Sequence, residues 1–234
     1  MTAPTTDHTR LAALAVEAAG RLEGAHPLSV LEWAAERFAD SFCIASSMQD
    51  AVLPHLAGRV LPGVPVVFLD TGYHFAETIG TRDAVAATMP IDVLTIQPRQ
   101  TVAEQDAAYG PRLYERDPDR CCALRKVGPL ARVLAPYAAW ASGLRRDEAP
   151  SRRNAPVVGW DDRHGMVKVN PLACWTQADV DAYSAEHGVL VNPLAFDGYP
   201  SIGCAPCTRR VTPGGDPRAG RWAGTGKSEC GIHR

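Results

Sequence analysis

Apolar residues recur at three- and four-residue spacing through RLAALAVEAAGRL and PLSVLEWAAERFA, which predicts two amphipathic helices within residues 1–40, the second opened by Pro27. The pattern then changes. SFCIAS is a short apolar run closed by serine, and MQDAVLPHLA after it predicts a helix. VPVVFLDTG is a continuous apolar run stopped by Asp-Thr-Gly, the mark of a strand buried on both faces. HFAETIGTRDAVAATM predicts a helix, IDVLTI a strand and TVAEQDAAYG a helix. Beyond Cys121 and Cys122, GPLARVLAPY predicts a helix and AAWASG a strand, and PVVGWDD and MVKVNPL predict two more short strands. TQADVDAYSAEHG has both ends marked: Thr176 and Asp179 stand at capping-box spacing, and Gly188 closes the helix.

Strands alternating with helices imply an α/β fold, a mostly parallel sheet with flanking helices. Ligands bind such sheets beyond the carboxyl ends of the strands. Three stretches fall there: ASSMQD, LDTGYHF and SGLRRDEAPSRR. From Asn192 onward the periodicity fades into Gly, Pro and Arg, so residues 201–234 are expected to be an irregular C-terminal segment of the same domain, either loose or a working loop region.

Composition narrows the classes. The 234 residues are 46% hydrophobic and 21% charged with a net charge of −2, so nothing global points to nucleic acid or a membrane surface. No apolar run is long enough for a membrane span, and MTAPTTDHTR lacks the features of a secretory signal. A cytoplasmic location is expected, where clustered thiols point to metal or catalysis; seven cysteines, an odd number, argue against a simple disulfide framework.

Cysteine spacing is the sharpest chemical signal. Cys204 and Cys207 form a C-x-x-C pair, and Cys121 and Cys122 are adjacent. Adjacent helical side chains diverge by about 100°, which suits a single small ion poorly. Several irons can take such sulfurs on different metal atoms, so an Fe–S cluster competes with tetrahedral zinc and with a redox-active pair. Cys43 and Cys174 lie in or beside apolar runs and are expected in the core, and His55, His164 and His187 have no evident partner.

Cations form the second signal. Arg209, Arg210, Arg218, Arg221, Lys227 and Arg234 crowd the C-terminal segment, Lys126 follows the cysteine pair, and Arg145 and Arg146 follow a strand end. Guanidinium groups suit phosphate or sulfate oxygens. Ser46 and Ser47 stand where a strand–loop–helix unit would hold a phosphate, although the loop is not a P-loop. Cys230 lies among Lys227, His233 and Arg234, cations that favour a thiolate and hence a nucleophile.

LDTGYHFAET, CCALRKVGPL, SGLRRDEA, GCAPCTRRV, GRWAG and ECGIH, in that order, carry a resemblance to the assimilatory adenylyl-sulfate reductases, the iron–sulfur branch of the phosphoadenylyl-/adenylyl-sulfate reductase family. The ASSMQD loop departs from the Ser-Phe-Ser-Gly type common there. The resemblance implies an adenine-nucleotide α-hydrolase-like domain over residues 41–200, related to the PP-loop enzymes. It implies a [4Fe–4S] cluster on Cys121, Cys122, Cys204 and Cys207, with Cys230 as nucleophile. Substrate contacts would come from Ser46, Leu69, Thr71, Lys126, Arg145, Arg146, Arg218, Arg221 and His233. The implied substrate is adenosine 5′-phosphosulfate and the implied reductant thioredoxin, with no nucleic-acid or membrane partner and room for a homo-oligomer. A reductase for the 3′-phosphorylated nucleotide and a zinc-bearing PP-loop sulfur-transfer enzyme are the rival readings.

Overall fold

A computed structural model describes residues 8–232. Its centre is a six-stranded sheet in the order β3-β2-β1-β4-β6-β5. The strands are β1 (Phe42–Ala45), β2 (Val64–Leu69), β3 (Ile91–Ile96), β4 (Ala139–Ser142), β5 (Val158–Asp161) and β6 (Met166–Val169). Every neighbouring pair is parallel except β5 with β6, which form a hairpin. The chain leaves β1 toward β2 and β3 and then returns to place β4 on the other side. The strand order therefore reverses between β1 and β4, which opens a crevice at their carboxyl ends.

Helices cover both faces. α1 (His8–Leu22) packs Ala15, Ala18 and Leu22 toward the hairpin, and α2 (Pro27–Phe38) lies against α3 (Val52–Val60). α4 (Ala76–Thr88) precedes β3, and α5 (Val102–Tyr109) follows it behind a Thr101–Glu104 capping box. Two short helices, α6 (Leu113–Arg116) and α7 (Pro118–Cys122), lead through a π-helical turn (Ala123–Val127) into α8 (Gly128–Leu134). α9 (Gln177–His187) carries the expected capping box at Thr176 and ends on Gly188 at φ 61°. One core joins α1, α2 and α3 to one sheet face; a smaller one packs Leu130 and Leu134 of α8 against Cys43, Val67, Trp140 and Met166 on the other. Among the described residues no helix is long and apolar enough to cross a membrane.

α3 begins four residues later than its apolar pattern predicts. Met48 is buried with φ 57°, and Asp50 bridges to Val191, so the backbone of residues 48–50 is not free to start a helix. This holds the loop after β1 against the C-terminal region. Asn192 completes the junction: fully buried, it donates to the Met48 carbonyl at 3.2 Å and to Thr78 Oγ1 at 3.0 Å, and accepts from Leu194 N at 3.1 Å. Asn192→Leu strands three buried polar groups and is expected to cost on the order of 2–4 kcal/mol, a fall of roughly 5–10 °C in Tm. A melting curve unchanged by the substitution would show that the junction contributes little.

Candidate active site

A cavity of about 200 Å³ opens at the sheet's switch point. Its wall takes Ser46 and Asp50 from beyond β1, Leu69 and His74 from the end of β2, Ser142 and Arg145 from the end of β4, and Arg218, Arg221 and Cys230 from the C-terminal segment. The amino end of α3 faces this region but is a poor anion site. Val52 N already donates to Asp50 Oδ1 at 3.0 Å, Pro54 has no N–H, and His55 N is bonded to the Ala51 carbonyl. Ser46 lines the cavity, yet its Oγ accepts from Met48 N at 3.2 Å. Positive charge must come from side chains instead.

Counting donors separates the cations. Arg145 is buried, with Nε donating to Asp147 at 3.2 Å and Nη2 to Gln177 at 2.6 Å. Arg152 is bonded to Glu148 through Nη1 and to Glu229 through Nε and Nη2, both at 2.7 Å. Arg221 uses Nη1 on Ser201 and the Ile202 carbonyl, and its buried Nε has no partner. Lys126 lines the cavity and makes no hydrogen bond or ion pair with another described residue. Burial works against its ammonium, but the sulfurs of Cys204 and Cys230 outweigh that and raise its pKa. Lys126 and Arg221 are thus cations with capacity to spare for a ligand. His74 adds an acceptor: Nε2 donates to the Leu69 carbonyl at 2.9 Å, leaving the buried Nδ1 unpartnered, and burial lowers its pKa, which favours the neutral ring.

The segment bearing Cys230 has no helix or strand, but it is tied down. Glu229 accepts from Arg152, Arg218 and Ser151; Lys227 pairs with Asp119; Arg163 donates to the Gly231 carbonyl. Ile232 packs against the Trp140 core, and Gly231 at φ 84° makes the bend that residues with a side chain resist. Cys230 is left half-buried at the cavity wall.

The remaining cysteines meet on the far side of Lys126. Cys121 and Cys122 end α7, and the π turn after them widens the helix beside Lys126. Cys204 and Cys207 flank a short 3-10 turn anchored by Ala205 N on the Tyr73 carbonyl at 2.7 Å. All four sulfur-bearing residues line one small pocket, separated from the cavity by Lys126 and Trp222, which line both. Burial pushes the Cys121 thiol up to about 12 and the Cys207 thiol to about 11. Among the described residues, no three His, Cys, Asp or Glu side chains are placed to hold a single metal ion. Four thiols border one pocket, and the adjacent pair Cys121 and Cys122, whose side chains diverge on the helix, suits several metal atoms better than one ion.

Of the expected contacts, Ser46, Leu69, Lys126, Arg145, Arg218 and Arg221 line the cavity. Thr71 instead faces the cysteine pocket, with Oγ1 3.3 Å from Cys204 Sγ. Arg146 turns outward to Glu23 at 2.6 Å. His233 and Arg234 lie outside the described residues. Cys174 is exposed rather than in the core, beside Glu23 and Arg146, whereas Cys43 is fully buried. The histidines have partners: His55 with Tyr183 at 2.9 Å, His187 with its ring tilted against Tyr183, and His164 with Asp161 at 2.7 Å. Sequence reasoning did not single out Arg152, Glu148, Glu229, His74 or Trp222 as site residues, although each lies in a stretch it marked: His74 in LDTGYHF, Glu148 and Arg152 in SGLRRDEAPSRR, Trp222 in GRWAG and Glu229 in ECGIH.

Comparison with known proteins places this geometry. Residues 41–210 match the family model described as phosphoadenosine phosphosulfate reductase domain. The chain is 64% identical over its full length, and that of the relative, to a protein of Streptomyces coelicolor named adenosine 5′-phosphosulfate reductase. Proteins of the same name from Rhodococcus opacus (55% identity, 94% of this chain and 93% of that one) and Mycolicibacterium smegmatis (54%, 98% and 97%) are also similar. Among solved structures, the phosphate complex of a phosphoadenylyl-sulfate reductase from Candida auris superposes with a TM-score of 0.70 at 25% identity, over 90% of this chain and 99% of that one. Candida glabrata FMN adenylyltransferase shares the fold alone, with a TM-score of 0.57 at 12% identity over 90% of this chain and 69% of that one.

Proposed function

From the premise that this chain belongs to the phosphoadenosine phosphosulfate reductase domain family, we propose that it reduces adenosine 5′-phosphosulfate to sulfite and AMP in sulfate assimilation, with Cys230 as nucleophile and thioredoxin or a similar dithiol as reductant. The observation that carries this reading is the position of Cys230 at the wall of a switch-point cavity that is also lined by Lys126 and by Arg221, whose Nε has no partner.

The chemistry follows from the residues. The Cys230 thiolate attacks the sulfur of the sulfate group; a sulfur–sulfur bond forms, the sulfur–oxygen bond to phosphate breaks, and AMP leaves with the electron pair. The product is an S-sulfocysteine. A thiolate of the dithiol then attacks Cys230 Sγ, sulfite departs with its electron pair, and the second thiol resolves the mixed disulfide. An anion must meet an anion in the first step, so repulsion is the main obstacle. Lys126, Arg221 and the open donors of Arg218 supply the field that offsets it and stabilise charge on the departing phosphate. Arg145 is oriented by Asp147 through Nε and by Gln177 through Nη2 and lines the same wall.

Cys121, Cys122, Cys204 and Cys207 would hold a [4Fe–4S] cluster, because four thiols border one pocket and two of them are adjacent on a helix, a spacing that suits several irons better than one ion. Such a cluster, when bound, supplies structural cross-linking and a concentrated charge beside Lys126. Lys126 borders both compartments and is placed to act on the sulfate.

Two measurements test the reading. The purified protein is expected to release sulfite and AMP from adenosine 5′-phosphosulfate with reduced thioredoxin, to do so far more slowly from the 3′-phosphorylated nucleotide, and to lose turnover in Cys230→Ser; faster turnover of the 3′-phosphorylated nucleotide would move the protein to the sister activity. Metal analysis of anaerobically prepared protein is expected to give roughly four irons per chain with visible absorption. Zinc without iron would contradict the cluster and leave the thiol chemistry to be judged separately.

A further inference from the structure

Cys230 sits in a stretch without regular structure, so something else must fix its sulfur over the cavity. Its neighbour Glu229 is 6% exposed and has both carboxylate oxygens engaged. Oε1 accepts from Arg152 Nε at 2.7 Å and Ser151 Oγ at 3.2 Å; Oε2 accepts from Arg152 Nη2 at 2.7 Å and Arg218 Nη2 at 3.2 Å. Arg152 passes the linkage on through Nη1 to Glu148, whose Oε2 also accepts from Arg145 N at 3.1 Å. A continuous chain of charge-assisted bonds therefore runs from the loop after β4 to the residue beside the nucleophile.

We propose that Glu229 is a positioning residue of the reaction and that Arg152, although it lines the cavity, is the other half of a clasp rather than a substrate-binding cation. This rests on the function proposed above. Three observations carry it. Arg152 has each guanidinium nitrogen bonded to a carboxylate, so it has little left for a ligand. The contact is bidentate and mostly out of water, the geometry in which an ion pair is directional and weakly screened. The other polar ties of the segment are single contacts: Lys227 meets Asp119, which is 69% exposed, and Arg163 grips a backbone carbonyl, while Ile232 adds an apolar contact beyond Cys230. The clasp also orients Arg218, whose remaining donors stay open toward the cavity. Because a dithiol must later reach the same sulfur, the strength of this pair sets how much of the time Cys230 is docked.

The test uses the cluster-loaded full chain and the variants Glu229→Gln, Arg152→Gln, their combination and Glu229→Asp. Three quantities are read: the single-turnover rate of S-sulfocysteine formation, AMP affinity, and the rate of Cys230 alkylation by iodoacetamide relative to the exposed Cys174. Each Gln variant is expected to slow S-sulfocysteine formation about tenfold or more, to raise Cys230 alkylation severalfold and to leave AMP affinity within about twofold. The double variant should lose less than the product of the two single losses, since both singles remove the shared Glu229–Arg152 contact, and Glu229→Asp should recover part of the protection. A tenfold loss of AMP affinity in Arg152→Gln would make Arg152 a substrate ligand and overturn the proposal, as would unchanged alkylation or losses that multiply in the double variant. Retained AMP binding and visible spectrum certify the fold of each variant. Failure of the functional reading looks different: wild-type protein would form no S-sulfocysteine, while the alkylation comparison would still report on the clasp.

Discussion

Charge balance around a partly buried cavity organises the carboxyl end of the sheet. Five cations, Lys126, Arg145, Arg152, Arg218 and Arg221, reach its wall together with the carboxylates of Asp50, Glu148 and Glu229. Such a set is stable only if the charges are partitioned, because an unpaired ion away from water is costly. Here the partition is legible bond by bond. Arg152 is absorbed by Glu148 and Glu229 and becomes scaffold, and Arg145 is oriented by Asp147 and Gln177. Lys126 and Arg221 keep donors free, so the positive field that remains points at the place where an anion would react beside Cys230.

The fold puts these groups together because the switch point collects loops from strands distant in sequence. β1 and β2 supply the floor, the loop after β4 supplies Arg145 and Arg152, and the irregular C-terminal segment closes over them with Arg218 and Arg221. The two cysteine pairs stand behind the same wall, one on a helix widened by a π turn and the other on a tight 3-10 turn. Lys126 and Trp222 are the shared boundary. Trp222 adopts φ 48°, a conformation unusual for a bulky residue, and lies beneath Arg221 and Lys227. A boundary built this way lets the cysteine pocket influence the cavity through one lysine and one aromatic ring.

Much of this was readable from residue order. The buried strands announce themselves as continuous apolar runs, α9 carries signals at both ends, and the paired cysteines and the terminal Glu-Cys-Gly-Ile-His stretch carry the resemblance to the family that the comparisons show. What escaped has physical reasons. The π turn has no side-chain period of its own. Arg145 and Arg146 are indistinguishable in sequence, but the extended backbone at Arg145 (φ −120°, ψ 148°) sends successive side chains to opposite sides, so one lines the cavity and its neighbour meets Glu23. Cys174 follows three buried residues, yet the turn before α9 rotates it into solvent. The role of Glu229 depends on Arg152, 77 positions away, a pairing that local pattern cannot show.

The account stands or falls on Cys230 receiving the sulfur. Intact-protein and peptide mass spectrometry after incubation with adenosine 5′-phosphosulfate, without reductant, tests this most directly. The account predicts a sulfonate adduct on Cys230 alone, formed with one equivalent of AMP and discharged as sulfite on adding a reduced dithiol. Cluster-loaded protein that binds the nucleotide but carries no adduct, or carries it on another cysteine, would contradict it.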